Sequence, residues 1–229
     1  MSSRRPEAVQ PSDLSFDTLC SLFDILTNSA NSKTKSAANR RKIIDKFIDT
    51  CVARAGGQAF CLFRLCIPAL DAERGNYRLQ EGKLVDVFIK ACGVARDGSV
   101  AKAAKGWKKP GVKGVGIFAR VMEEHFFSSY CEKTHGTPGA KDLKIRQVNE
   151  KLDAMVACAG RTNDQAEIVR WLFTMTTPKQ MFWLTQIILK NLRVWRTNVA
   201  WCFGVGYWSS FSGLKKPACS EQIYTCSHM

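Results

Sequence analysis

TPKQMFWLTQIILKNLRV, residues 177–194, decides how this chain is read. Thr177 followed by Pro178 is a helix start. A threonine hydroxyl can accept a backbone N–H of the first turn, and proline at the first helical position gives up only a donor that has no partner there. Behind that start come Phe182, Trp183, Ile187, Ile188 and Leu192, apolar residues at helical spacing.

The same period extends toward the N-terminus. Thr162 or Asn163 is placed to cap a helix through Met175, and Ile145, Val148, Leu152, Met155 and Val156 mark another over 145–158. HGTPG (135–139) breaks the pattern, helix is expected over 117–128, and KKPGVKGVG (108–116) reads as a loop. A short basic helix covers 98–107. Leu84, Val87, Phe88 and Ala91 form a helix closed by Gly93. Phe60, Phe63, Leu65 and Ile67 form one ended by Pro68, which lacks an N–H and crowds the preceding turn. Ile43, Ile44, Phe47, Ile48 and Cys51 mark a further helix, and Phe16, Leu19, Cys20, Phe23 and Leu26 the first, with Ser12 or Asp13 placed to cap it. No stretch alternates with a period of two. The expectation is an all-α fold of about nine helices with no internal repeat. Residues 1–12 are polar, carry two prolines and are expected to be disordered.

The 229 residues suffice for one large or two small domains with a substantial core. The formal net charge is +14. The basic residues are grouped: 25–44 holds five and no acid, 98–122 holds six and no acid, and 168–220 holds seven and no acid. Such patches favour a polyanionic partner, nucleic acid before an anionic membrane. Of the ten cysteines, Cys20, Cys51, Cys61, Cys66, Cys92 and Cys158 fall on or beside apolar helix faces, where a free thiol acts as a small hydrophobe. There is no apolar segment typical of a secretory signal, no Cys-x-x-Cys pair, and the three histidines are scattered. A reducing cytosol or nucleus and no metal fit this pattern.

Two short motifs have ordinary readings. KLDA (151–154) has the opening of a Lys-x-Asp-Gly nucleotidyltransferase motif, but Ala154 stands where glycine is needed and the residues fall inside an amphipathic helix. GVKGVG (111–116) lacks the order and the preceding strand of a P-loop. It reads as a flexible basic loop whose glycine N–H groups, with Lys108, Lys109 and Lys113, can approach a phosphodiester backbone. Trp107 beside these lysines reads as a core aromatic at a helix end, with base stacking as the alternative. No Ser/His/Asp or Cys/His set and no paired carboxylates in an apolar setting occur, so no catalytic site is expected.

Three segments taken together resemble a known family. RLCIPALDAERGNYRLQEGKL (64–84) contains Arg64, Leu65, Pro68, Asp71, Glu73, Arg74 and Tyr77 in the order Arg-Leu-x-x-Pro-x-x-Asp-x-Glu-Arg-x-x-Tyr. LKIRQVNEKLDAM (143–155) is the second segment. The third is the opening stretch, with Trp183 through Lys190 as Trp-Leu-x-x-Ile-Ile-Leu-Lys. They are similar to the N-terminal DNA-binding domain of ATP-dependent DNA ligases, most closely the ligase IV type, over about residues 14–194. The resemblance implies an all-α domain that grips nicked or duplex DNA across the minor groove through backbone contacts. It implies a nuclear role in double-strand break repair by end joining. By analogy Lys190 and Arg193 are the first phosphate-binding candidates, with Lys108, Lys109 and Lys113 next. It also implies a protein-interaction alternative: the helix bearing Ile44, Phe47 and Ile48 corresponds to one that docks a repair partner. ATP and Mg²⁺ are implied only for a full-length ligase, whose adenylation and oligonucleotide-binding-fold domains are not in this sequence, so the chain is expected to be inactive alone.

The resemblance stops where Trp195 replaces an expected glycine. Residues 195–229 contain Trp195, Trp201 and Trp208 but no long apolar run, and Arg196 and Asn198 interrupt a membrane reading. They are expected to be a replacement C-terminus without amphipathic period, outside a domain spanning 13–194.

Overall fold

A computed structural model describes residues 11–31, 37–51, 60–109, 117–131, 142–192 and 194. The expected disorder of 1–12 and the expected loose packing of 195–229 lie, apart from residues 11 and 12, outside the described residues. So do Lys113, Arg193 and HGTPG. Among the described residues the fold is all-α, and the only extended pairing is an isolated bridge between Ser15 and Lys144.

The elements are α1 (Phe16–Asn31), α2 (Ala37–Cys51), α3 (Phe60–Cys66), α4 (Glu81–Ala91), α5 (Ser99–Lys105), α6 (Phe118–Met122), α7 (Ser128–Tyr130), α8 (Ile145–Ala157), α9 (Thr162–Met175) and α10 (Pro178–Ile188). A π-helical turn, Glu123–Phe127, joins α6 to α7. Pro68 ends α3 as expected and opens a short 3₁₀ turn, Pro68–Leu70. Gly93 closes α4 at φ +64°, a backbone region that disfavours any residue with a Cβ.

The opening stretch folds as its caps dictate. Thr177 Oγ1 accepts the Gln180 N–H at 3.2 Å, and Gln180 Oε1 accepts the Thr177 N–H at 3.0 Å. This reciprocal pair satisfies two donors that a helix start leaves open. From Met181 to Thr185, and again at Ile187 and Ile188, every residue of α10 is buried. A helix apolar around most of its circumference has to lie inside the fold. α10 packs on α1, where Gln180 Nε2 donates to Asp17 and Trp183 Nε1 to Asp24, each at 3.3 Å. On its other side it meets α6 and the π turn. α4 packs most extensively on α9, and Phe88, Phe126, Phe127 and Phe173 meet there in edge-on and tilted pairs 5.4–6.5 Å apart.

Two caps differ from expectation. α1 is capped by Ser15, whose Oγ accepts the Asp17 N–H at 3.1 Å, because Ser12 and Asp13 are taken into a 3₁₀ turn at Pro11–Asp13. α9 begins one residue beyond Arg161, and neither Thr162 nor Asn163 caps it, since both already belong to its first turn. Cys20, Cys92 and Cys158 are free thiols, as their apolar settings suggested, and so is Cys131. Burial pushes Cys92 and Cys131 up to about 12. No described helix is long and apolar enough to cross a membrane.

Candidate nucleic-acid interface

Several cations at the surface of this domain have a carboxylate beside them. Arg41 pairs with Asp45, Arg120 with Glu123, Lys144 with Asp142, Arg146 with Asp13, Arg161 with Asp164, Arg170 with Glu167 and Lys179 with Asp24. The end of α5 is different. Ala101 and Ala104 turn inward with no exposure, which leaves Lys102 and Lys105 on the opposite, solvent-facing side. Gly106 then lets the chain fold back tightly: a Cβ there would come within 3.0 Å of the Lys102 carbonyl. The Lys109 N–H donates to the Gly106 carbonyl at 2.8 Å, which brings Lys108 and Lys109 onto the same end of the helix. Lys102, Lys105, Lys108 and Lys109 are all exposed, and none forms an ion pair with a described residue.

Trp107 lies in the middle of this group. It is half-buried, edge-on to Phe118 at 5.5 Å, with Lys108 Nζ over its ring at 4.9 Å. Beside it is a shallow cleft of about 480 Å³ between the first turns of α4 and the end of α5, lined by Gln80, Lys83, Asp86, Lys105 and Trp107.

A second charged cluster is turned inward. Asp71, with its side chain 3% exposed, accepts from Arg64 Nε at 2.8 Å and from the Arg74 backbone N–H at 3.0 Å. Arg74, 2% exposed, reaches α8, where Nη2 donates to Asp153 at 2.7 Å and to the Asn149 side chain at 3.0 Å. Arg64 also holds Asp153, at 3.0 Å. Asn149 passes its amide on to the carbonyls of Cys61 and Ile145, each at 2.9 Å. Burial works against the Arg64 charge, but Asp71 and Asp153 outweigh it and raise its pKa. Lys190 closes the cluster from the end of α10. Its Nζ donates to the carbonyls of Arg74 at 2.7 Å and Asp71 at 3.4 Å. Burial lowers its pKa. Lys190 also has φ +52°, so it occupies the left-handed position of the helix end, with its own N–H on Ile187 O and the Asn191 N–H on Gln186 O.

The Arg64–Tyr77 run, α8 and the end of α10 are thus one interlocked unit. A family model described as DNA ligase N terminus matches residues 15–196. The chain belongs to the DNA ligase N-terminal family. It is similar to DNA ligase 4 of Arabidopsis thaliana, 29% identical over 186 residues that cover 80% of this chain and 14% of that protein. Against DNA ligase 4 of Yarrowia lipolytica the identity is 28% over 184 residues, 78% of this chain and 19% of the relative. For DNA ligase 4 of Neurospora crassa it is 31% over 173 residues, 73% and 16%. The chain therefore spans less than a fifth of the length of these relatives.

Within this ligase N-terminal domain the candidates separate. Lys108 and Lys109 lie together on the exposed end of α5. Lys190 is half-buried, with its Nζ on two backbone carbonyls of the same chain. Ile44 and Ile48 are 2% and 4% exposed, and Phe47 is half-buried against the same core. Spaced at i and i+4 they form the inner stripe of α2, so docking a partner through them would require α2 to lift from the domain. KLDA is a turn of α8, with Leu152 fully buried and Asp153 on Arg64 and Arg74. Lys102 and Lys105 were visible in the acid-free run 98–122 but carried no motif. Lys83 and Asp86 had no sequence signal, because only the packing of α4 on α5 brings them to Trp107.

Proposed function

We propose that this chain binds duplex DNA through the phosphate backbone, with little sequence preference and a preference for nicks. We place it as the DNA-binding part of a ligase of the DNA ligase 4 type, joining broken DNA ends in the nucleus. The observation that carries this reading is the uncompensated lysine group at the end of α5, where Lys102, Lys105, Lys108 and Lys109 are exposed together and none pairs with a described carboxylate. Lysines free of carboxylates can exchange counterion-covered phosphates for protein contacts, and each phosphate neutralised in this way steepens the dependence of affinity on salt. On this reading nucleotide and metal chemistry is supplied by other parts of a ligase. The chain alone seals no nick.

The test is binding of the full chain to nicked duplex, intact duplex and single strands across a salt series. The nicked duplex binds most tightly, with a steep negative slope. Replacing Lys105, Lys108 and Lys109 by alanine flattens that slope by roughly three, about one for each phosphate left without its lysine. A shallow slope in the parent chain, or a triple variant with an unchanged slope, overturns the reading.

A further inference from the structure

We propose that the cleft between α4 and α5 is a receptor for one unpaired nucleotide of a DNA strand, which gives the domain a preference for duplexes with a single-stranded extension. The proposal rests on the DNA-binding reading and adds to it a specific ligand. Its lining is not what backbone binding alone requires. Phosphates need only cations and N–H donors, but this cleft also holds an aromatic ring, an amide and a carboxylate. That combination suits a base: a ring to stack on, and Gln80 and Asp86 to meet donors and acceptors on its edge. The cleft is shallow and open, about 480 Å³, so a nucleotide would lie against its wall and stay accessible to solvent on its outer side.

The charges in the cleft are also arranged for a ligand. Lys83 and Asp86 sit three residues apart on one helix, the spacing at which oppositely charged side chains meet. They form no ion pair with each other or with another described residue, and both are exposed. Lys83 is therefore available to a phosphate together with Lys105, and Asp86 to the exocyclic amine of a cytosine, adenine or guanine. Asp86 repels phosphate, which sets the orientation: the sugar-phosphate side toward Lys83 and Lys105, the base edge toward Asp86 and Gln80. Trp107 is fixed from behind by Phe118, and the group over its ring is the exposed Lys108, which can move aside for a base or cover it. A paired base inside a duplex presents no free face to such a ring, so the cleft selects unpaired nucleotides.

The experiment compares the full chain on two nicked duplexes of equal length, one blunt and one with a short single-stranded extension, at one salt concentration. The readout is the ratio of the two affinities. The extended duplex binds roughly tenfold more tightly, the scale of one base stacked on an aromatic side chain. Trp107→Leu brings the ratio close to one, while Trp107→Phe, which keeps a ring on Phe118, retains most of it. Asp86→Asn, an exposed change that leaves the fold alone, shifts the ratio most for extensions whose bases carry an exocyclic amine and least for a thymine extension. A ratio near one in the parent chain, or a ratio that Trp107→Leu leaves intact, overturns the proposal while blunt binding keeps the DNA reading. Absence of binding to either duplex overturns both.

Discussion

The interlocked cluster at Arg64, Asp71, Arg74 and Asp153 and the lysine group at the end of α5 are both rich in charge, and they use it in opposite ways. In the first, each cation meets a carboxylate or a carbonyl of the same chain, and almost nothing is left for a partner. In the second, cations stand in solvent without an internal counter-charge. The first cluster holds the residues that make the family recognisable. The second holds the residues proposed to bind. The most recognisable residues here are those that no other position in the fold can replace, since a buried ion network fails if any member changes. An exposed lysine can shift one turn along a helix and still reach a phosphate.

The strongest way to break this comparison is to change Arg74. Its guanidinium reaches Asp153 and Asn149 together, and its backbone N–H meets Asp71, whose carboxylate is buried. Removing one partner of a buried charge cluster costs about 3–5 kcal/mol, and the lower end of that range applies here, because Arg64 still holds Asp71 and Asp153 while the buried side-chain oxygen of Asn149 loses its partner. Arg74→Met is expected to lower the unfolding free energy by that amount in urea denaturation. Arg74→Lys is expected to cost nearly as much, since a point charge cannot replace a planar fork held at several acceptors. A decrease below about 1 kcal/mol for Arg74→Lys would show that the cluster is as tolerant as a surface pair.

What could be read in advance follows the same division. The helices were legible because their apolar period is strong, and α10 because Thr177 and Pro178 mark its start by chemistry that acts within four residues. The family-like run was legible as a pattern, but its roles were not. Lys190 was a phosphate-binding candidate by analogy with the ligase family. Its position against the Asp71 and Arg74 carbonyls depends on how α10 packs on a segment more than a hundred residues away. The helix starts after Ser15 and Arg161 were missed by small displacements, since several polar residues near each start could serve and only the packed loop decides. The cleft was not legible, because Lys83 and Trp107 come together only in three dimensions.

A smaller effect sharpens the comparison from the interior. The core admits charge only where a partner is provided, and Cys92 and Cys131 have none strong enough to stabilise a thiolate. Burial pushes both thiols from the ordinary 9.0 up to about 12, with Arg170 lowering Cys92 and the Thr176 hydrogen bond lowering Cys131 by less than burial raises them. The folded state therefore holds protons that the unfolded chain releases. The stability this contributes is fully present below pH 9 and is lost as pH rises from there toward 12. Unfolding free energy followed through that window is expected to fall, and to fall less steeply in Cys92→Ala with Cys131→Ala. Identical pH profiles for the parent and the double variant would mean that the thiols ionise in the fold without penalty.

The smallest expected effect is the most discriminating, because it asks whether exposed charge is used as charge alone. Lys102 and Lys109 donate to no described side chain and line no cleft, so the α5 end imposes no geometry on them beyond direction toward solvent. Changing both to arginine keeps the charge and the length within an atom or two while replacing a compact ammonium by a planar fork. If these lysines act by neutralising phosphates, duplex affinity is expected to stay within about twofold and the salt slope to stay unchanged, since counterion release counts charges and not their shape. The same class of exchange at Arg74 is expected to cost kilocalories. A large change at Lys102 and Lys109 would mean that they, too, sit in a shaped site, and that the cleft beside Trp107 reaches further along α5 than its lining indicates.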